Sequence, residues 1–505
     1  MSVARVLSRA QIGLQAPLVH VEVHLGCGLP TFSIVGLPAA AVKESKERVR
    51  AALANSGFEL PAGRITVNLA PADLPKEGGR FDLPIALGVL AASGQIRCAR
   101  PDGLEGREFY GELALTGELK PVKGLLLAAM HAARDGHELI VPKASVAEAV
   151  MVAHGTVLGA NHLLEVCRHL DGTAPLAVAA KTDALAMRPA SGRLPDLRDV
   201  RGQAVGKRAV VIAAAGGHSL LMIGPPGSGK SMLAQRLPGL LPPLTEAEAL
   251  EVATIASVSA AGFDARQFGR RPFRAPHHTA SAISIVGGGP YARPGEVSLA
   301  HHGVLFLDEL PEFDRRVLES LREPLETGII SISRAAMQAQ YPAGFQLVAA
   351  MNPCPCGYQG DPGGACSCSP QVIHQYRSRV SGPLLDRIDM HVAIHRVPAA
   401  ELFTPTVHDT AEDAAEKVRE ARARQLARAG KLNCALTAQE LQRIPMEESA
   451  SRLLEQSFEQ LRLTARSCHR ILRVALTIAD LAGRDRITQR DMAEAIQMRR
   501  AMLPG

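Results

Sequence analysis

The stretch Gly224-Pro225-Pro226-Gly227-Ser228-Gly229-Lys230-Ser231 constrains this chain more than any other. An apolar run from Ser219 to Ile223 precedes it and reads as a short buried strand, and Met232 to Leu237 follows as a helix. Strand, glycine-rich turn and helix N-terminus, in that order, make a phosphate-binding P-loop. Gly224, Gly227 and Gly229 permit backbone conformations closed to residues with a Cβ, so that consecutive N–H groups converge on one anion. Lys230 then reaches the β- and γ-phosphates of ATP, and the Ser231 hydroxyl is placed to ligate Mg²⁺. A glycine-rich turn before an ordinary helix is the competing reading, and the complete pattern in its strand-to-helix setting favours the P-loop.

A second element fits the first. Val304 to Leu307 is an apolar strand ending in Asp308 and Glu309, which reads as a Walker B pair. Asp308 would hold Mg²⁺ and Glu309 would orient and polarise the attacking water. Gln346 to Met351 is a further apolar strand, and it ends at Asn352.

The 505 residues suit about three domains. With 47% apolar and 21% charged residues the chain has an ordinary globular composition. The N-terminus lacks the continuous apolar core of a signal peptide. The longest apolar stretch, Ala209 to Ile223, is interrupted by Gly216, Gly217 and His218 and falls short of the roughly 20 residues of a membrane span. A cytoplasmic protein without a membrane partner is the expectation. A net charge of +6 suits a nucleic-acid partner. Because Trp is absent and Tyr occurs five times, a grip on nucleic acid would rest on phosphate contacts from Lys and Arg and not on a stacking platform.

Cys354, Cys356, Cys366 and Cys368 flank a loop rich in Gly, Asp and Pro. Four thiols so close together in a reducing compartment point to structural Zn²⁺ more readily than to disulfides. Their C-x-C spacing is tighter than the usual C-x₂-C, and unliganded or redox-active thiols are the alternative. His277-His278 and His301-His302 have no spaced carboxylate or Cys partner in the sequence, so they read as structural. Ala411 to Arg428 is a highly charged helix whose Arg419, Arg422, Arg424 and Arg428 read as a solvated face. Thr437 to Glu440 and Thr488 to Asp491 resemble capping boxes, each opening a further helix.

Several words of the sequence resemble known families. "PADLPKEGGRFDLPIALGVLAA" and "LTGELKPVKGLLLAAMHAARDGHELIVP" resemble the proteolytic domain of Lon-type proteases. That family's nucleophilic Ser position falls on Arg80 here and its catalytic Lys position falls near Leu126, while Lys76 and Lys123 match neither. The fold without the peptidase is implied, since no activated nucleophile is visible. The linker-like stretch from Ala180 to Gln203 runs into "DVRGQAVGKRAVVIAAAGGH", which resembles the adenine-packing segment of AAA+ ATPases, with Val200 and Gln203 as adenine neighbours. "FRAPHHTASAISIVGGGPYARPGEVSLAHHG" and "GIISISRAAMQAQYPAGFQ" are similar to the helix-2 insert and pre-sensor-1 hairpin of the magnesium-chelatase and MCM branch. The hairpin would turn near Ala335, with Arg334 as a phosphate contact. In that branch Asn352 takes the sensor-1 position, Arg387 in "LLDRID" that of an arginine finger supplied to the neighbouring subunit, and Arg466 that of sensor 2. Arg377 and Arg379 could share the finger's role, and Arg470 and Arg473 that of sensor 2.

The whole resembles the bacterial magnesium-chelatase-like ATPase family of ComM and YifB. That resemblance implies an α/β chain with a Lon-protease-like (ribosomal S5-type) domain over 1–190, a P-loop AAA+ core over 195–400 and a helical lid over 401–505. It also implies a hexameric, Mg²⁺-dependent DNA helicase that promotes branch migration in natural transformation, with single-stranded or branched DNA and further copies of itself as partners. A motor for metal chelation or protein remodelling is the other reading.

Overall fold

The computed structural model describes residues 2–101, 103–151, 155–180, 195–289, 292–334, 337–361, 366–398, 401, 411–461 and 463–499. The tip of the expected hairpin at Ala335, the Arg334 side chain and linker residues 181–194 lie outside the described residues. Contacts divide the chain into two compact units, one of residues 1–191, 246–268 and 333–340, the other of residues 192–245, 269–332 and 341–505.

In the first unit seven strands form one sheet, in the order Thr31–Val35, Arg64–Ala70, Leu18–Gly26, Ser2–Arg9, Arg107–Phe109, Glu138–Pro142, Val157–Ala160. Ser2–Arg9 pairs antiparallel with Leu18–Gly26, which alternates buried and part-exposed residues. Such alternation marks a sheet with one covered face. The cover is the helix Asp82–Ala92, in which only Ala91 escapes full burial. Gly88 is needed there, because a Cβ at that position would stand 2.5 Å from Val23 Cγ2. The expected helix from Ala40 to Ala54 is broken into Ala40–Lys43 and Ser45–Asn55. The helix Glu246–Ser257, far along the chain, joins this unit. Ser257 Oγ donates to Glu148 Oε1 at 2.5 Å and Lys123 Nζ to the Ala260 carbonyl at 2.5 Å.

A parallel five-stranded sheet forms the heart of the second unit, in the order Phe273–Arg274, Val304–Leu307, Gln346–Met351, Leu220–Ile223, Met390–Ala393. Val304–Leu307, Gln346–Met351 and Leu220–Ile223 are buried along their whole length, as strands covered on both faces must be. The helices Ala204–Gly216 and Lys230–Leu240 cover the sheet, and Ala411–Ala429 and Ala465–Leu481 pack on Ala204–Gly216. Sheet and C-terminal helices thereby share one apolar core. Both expected capping boxes are present, at Thr437 and Thr488.

The charged helix keeps its expected solvated face at Arg419, Arg424 and Arg428, which are exposed, while Arg422 is half-buried. Arg422 Nε donates to the Ala214 carbonyl at 2.9 Å and Arg428 pairs with Asp480 at 2.7 Å. These arginines close helix ends and buried carboxylates, a role that sequence periodicity does not reveal. In the insert before Walker B, Ala282–Val286 is a helix and Gly287–Gly288 pairs antiparallel with Arg293–Pro294. Gly287 has φ +105°, and a Cβ on it would lie 2.6 Å from the Arg293 carbonyl oxygen. The glycines of that triplet thus permit a close backbone crossing, and Ile285 at its base is fully buried. Ile329–Arg334 and Met337–Pro342 form the expected two-stranded hairpin.

Candidate nucleotide-binding site

Parallel strands bring their C-terminal ends to one edge of a sheet, and ligands of open α/β sheets bind outside that edge. In this sheet the strand Gln346–Met351 lies between the P-loop strand and the Walker B strand, with Ile223 beside Met351 and Leu307 beside Ala349. Asn352 is consequently delivered between Lys230 and Asp308. A cavity of about 410 Å³ opens there, lined by Gly227, Lys230, Ser231, Asp308, Glu309 and Asn352 among others.

Each wall follows from its local sequence. Gly227 and Gly229 have φ values of +75° and +88°, and Gly229 caps the helix Lys230–Leu240. The helix N-terminus points at the cavity and favours an anion there. Gly224 has no room for a side chain, since a Cβ would stand 2.1 Å from the Ile394 carbonyl oxygen. Lys230 Nζ donates to the carbonyls of Gly224 at 2.7 Å and Pro225 at 2.9 Å, and to Asn352 Oδ1 at 3.3 Å. Burial pushes the Lys230 ammonium below its ordinary value, while Asp308 and Glu309 oppose that shift and keep a cation favourable at this place. Ser231 Oγ donates to Asp308 Oδ2 at 2.6 Å. Two hard oxygen ligands thus converge beside the phosphate cradle, the donor set that Mg²⁺ takes alongside nucleotide oxygens and water. Ser231 and Asp308 would hold the ion, which neutralises phosphate charge when bound.

Glu309 adopts φ +52°, unusual for a residue with a Cβ, and its side chain is half exposed. His278 Nδ1 lies 3.2 Å from Glu309 Oε2. This contact is one that sequence reading missed, because His278 stands thirty residues before Asp308 and only the insert brings it back. The His277 and His278 ring centroids lie 4.1 Å apart and those of His301 and His302 3.9 Å apart, each pair tilted.

Gln203 also lies at the P-loop, its Nε2 donating to the carbonyls of Ser228 at 2.7 Å and His395 at 2.6 Å. Val200 is buried and does not line the cavity. Arg387 does not line it either: Nη2 meets Glu326 Oε1 at 2.6 Å and Nη1 donates to the Pro383 carbonyl. Arg377 donates to the Pro353 carbonyl and Gln359, and Arg379 pairs with Glu312. Arg466 is exposed at the start of its helix, whereas Arg470 is bound to Asp389 at 2.5 Å and Arg473 to the Leu436 carbonyl at 2.5 Å.

Cys354 Sγ lies 3.3 Å from Cys356 Sγ and 3.7 Å from Cys366 Sγ, Cys356 lies 3.6 Å from Cys366, and Cys368 completes a group within 4.8 Å. In the first unit, the positions expected of a peptidase dyad hold structural contacts. Arg80 donates to Gln11 Oε1 at 2.9 Å and to the Lys123 carbonyl, Lys76 caps the carbonyls of Gly36 and Pro71, and Leu126 is fully buried.

Three family models match the chain. Residues 196–402 match the model described as magnesium chelatase, subunit ChlI; 21–145 match subunit ChlI of Mg-chelatase; 408–499 match the ChlI C-terminal model. The chain is 49% identical over 502 residues to the competence protein ComM of Haemophilus influenzae, covering 99% of this chain and 98% of that protein. The chain belongs to the magnesium-chelatase-like ComM/YifB family. The YifB protein of Escherichia coli is 47% identical over 99% of this chain and 97% of its own length, and Rv2897c of Mycobacterium tuberculosis is 42% identical over 99% of both. For a ComM/YifB member the mixed α/β architecture and its parallel-sheet core are those of a chelatase-like AAA+ fold. Among the described residues no helix is long and apolar enough to cross a membrane.

Proposed function

We propose that this ComM/YifB member is an ATP-driven DNA motor, a cytoplasmic hexameric helicase that promotes branch migration of recombination intermediates, as in natural transformation. The observation that carries the ATPase part is the convergence of Lys230, Ser231, Asp308, Glu309 and Asn352 on one cavity at the sheet's C-terminal edge. Lys230 and the P-loop amides bind the β- and γ-phosphates, Ser231 and Asp308 hold Mg²⁺, Glu309 orients water, and Asn352 fixes it near the γ-phosphate. Arg387 is the finger presented to a neighbouring subunit and Arg466 the lid's contribution. The DNA part is supported by the relative whose name ties it to competence and by the net positive charge. The helix-2 insert and the hairpin Ile329–Pro342 would carry DNA through the pore.

A metal-chelation or protein-remodelling motor is the second reading. Because residues 21–145 also match a chelatase-subunit model, the N-terminal segment alone does not set this chain apart from chelatase motors. The deciding experiment is the ATPase rate of the purified protein with and without single-stranded and four-way-junction DNA, beside Glu309→Gln. The motor reading expects DNA to raise turnover in the wild type and the variant to bind ATP without turning it over. Turnover indifferent to DNA but raised by an unfolded protein or a chelatase partner would favour the second reading.

A further inference from the structure

The four-cysteine loop is not remote from the nucleotide. Cys354 follows Asn352 by two residues and is fully buried, so anchoring its sulfur anchors the end of the Asn352 strand. Gly357, one residue after Cys356, has φ +85° and packs on the P-loop so closely that a Cβ would stand 2.6 Å from Pro226 Cδ and 3.9 Å from Asn352 Cγ. Arg377 holds the same loop through the Pro353 carbonyl at 3.2 Å and Gln359 Oε1 at 3.0 Å. One loop thus touches sensor and P-loop together.

The sulfurs have the spacing a metal requires. A tetrahedral Zn²⁺ with Zn–S bonds of about 2.3 Å sets its sulfurs roughly 3.8 Å apart. Cys354, Cys356 and Cys366 lie 3.3, 3.6 and 3.7 Å from one another, with Cys368 in the same group. Disulfides would need about 2.05 Å, and all nine cysteines of the chain are free. Four soft thiolates at these separations suit zinc.

We propose that Cys354, Cys356, Cys366 and Cys368 hold one Zn²⁺, and that this centre is a positioning device for ATP hydrolysis, fixing Asn352 and Pro226 against the phosphates. The second half rests on the ATPase reading above; the metal site does not. Loss of zinc would release Cys354 and the Gly357 contact, leaving Asn352 free to leave the water and Pro226 free to leave the phosphate cradle. Nucleotide affinity, set mainly by Lys230 and the P-loop amides, would change less than turnover.

The test begins with zinc content by mass spectrometry of the full-length protein and the visible spectrum after exchange to Co²⁺, which reports a tetrahedral thiolate site. One zinc per chain and a thiolate–cobalt spectrum are expected. Zinc is then removed from the wild type with a chelator and restored, while hydrogen exchange over residues 224–231 and 346–357 and ATP turnover are followed. Removal should raise exchange in both segments and lower kcat roughly 10-fold or more, with KM for ATP moving less than about 3-fold, and zinc should reverse both. Cys356→Ser and Cys366→Ser should reproduce the metal-free state, and Cys27→Ser, at an exposed cysteine of the first unit, should not. Protein that carries no zinc and takes up no cobalt overturns the site. Zinc whose removal leaves exchange unchanged in both segments overturns the positioning role. A zinc-loaded wild type without ATPase activity would refute the ATPase reading instead, with metal content and exchange still judging this one.

Discussion

At the scale of single residues, the proposed mechanism gives binding and chemistry to different charges. Lys230 is buried and lies against carbonyls of its own loop, so Lys230→Ala removes the only ammonium that lines the cavity among the described residues and is expected to abolish ATP binding, measured with a fluorescent nucleotide. Glu309 is half exposed and touches no P-loop group in its pairing with His278. Glu309→Gln should therefore keep nucleotide affinity while kcat falls on the order of 10²- to 10⁴-fold, the range of a lost general base. His278→Ala should cost less, roughly 10-fold in kcat, because in the proposed mechanism His278 would orient Glu309 without replacing its proton chemistry. A His278→Ala variant with unchanged turnover would reduce the 3.2 Å contact to packing.

At the scale of elements, the strand Met390–Ala393 and the helix Ala465–Leu481 are joined by a buried polar network. Asp389 receives the Ser219 main-chain N–H at 3.1 Å and pairs with Arg470 at 2.5 Å. Burial alone would raise its carboxyl, yet His218 and Arg470 hold it well below the usual carboxylate range. Asp389→Asn leaves Arg470 without its counter-ion and is expected to destabilise the fold by about 3–5 kcal/mol, read by denaturant unfolding. His391, whose Nε2 meets the Leu385 carbonyl at 3.1 Å, is pushed down to about 3 by burial. An unfolded histidine takes a proton near pH 6.5, so between pH 6.5 and about 3 the unfolded state binds the extra proton. The stability His391 contributes is complete above pH 6.5 and is lost as pH falls toward 3. Thermal unfolding from pH 7.5 to 5 should show a steeper fall for the wild type than for His391→Gln.

On the scale of the whole molecule, Arg387 and Arg466 stand apart from the residues that line the cavity. The proposed assembly makes this a prediction about pairs of chains. Lys230→Ala and Arg387→Ala proteins should each be inactive alone, and mixing them should restore part of the ATPase activity, because some interfaces then join an intact P-loop to an intact finger. No recovery on mixing, with both variants shown to co-assemble by light scattering, would place Arg387 outside the neighbour's site.

Local sequence determined much of this. The P-loop, the Walker B strand, Asn352 and both capping boxes were legible because each depends on a few consecutive residues: glycines for positive φ, an apolar run for a buried strand, a Thr three residues before an acid. Tertiary structure alone decided that Asn352 sits between Lys230 and Asp308, since strand order along a sheet is not written in any one strand. It also decided that the helix Glu246–Ser257 packs with the first unit, that Arg422 and Arg428 tie helices together, and that His278 reaches Glu309. Those contacts join residues distant in the chain, where a side chain's partner is set by which surfaces are buried together and not by its sequence neighbours.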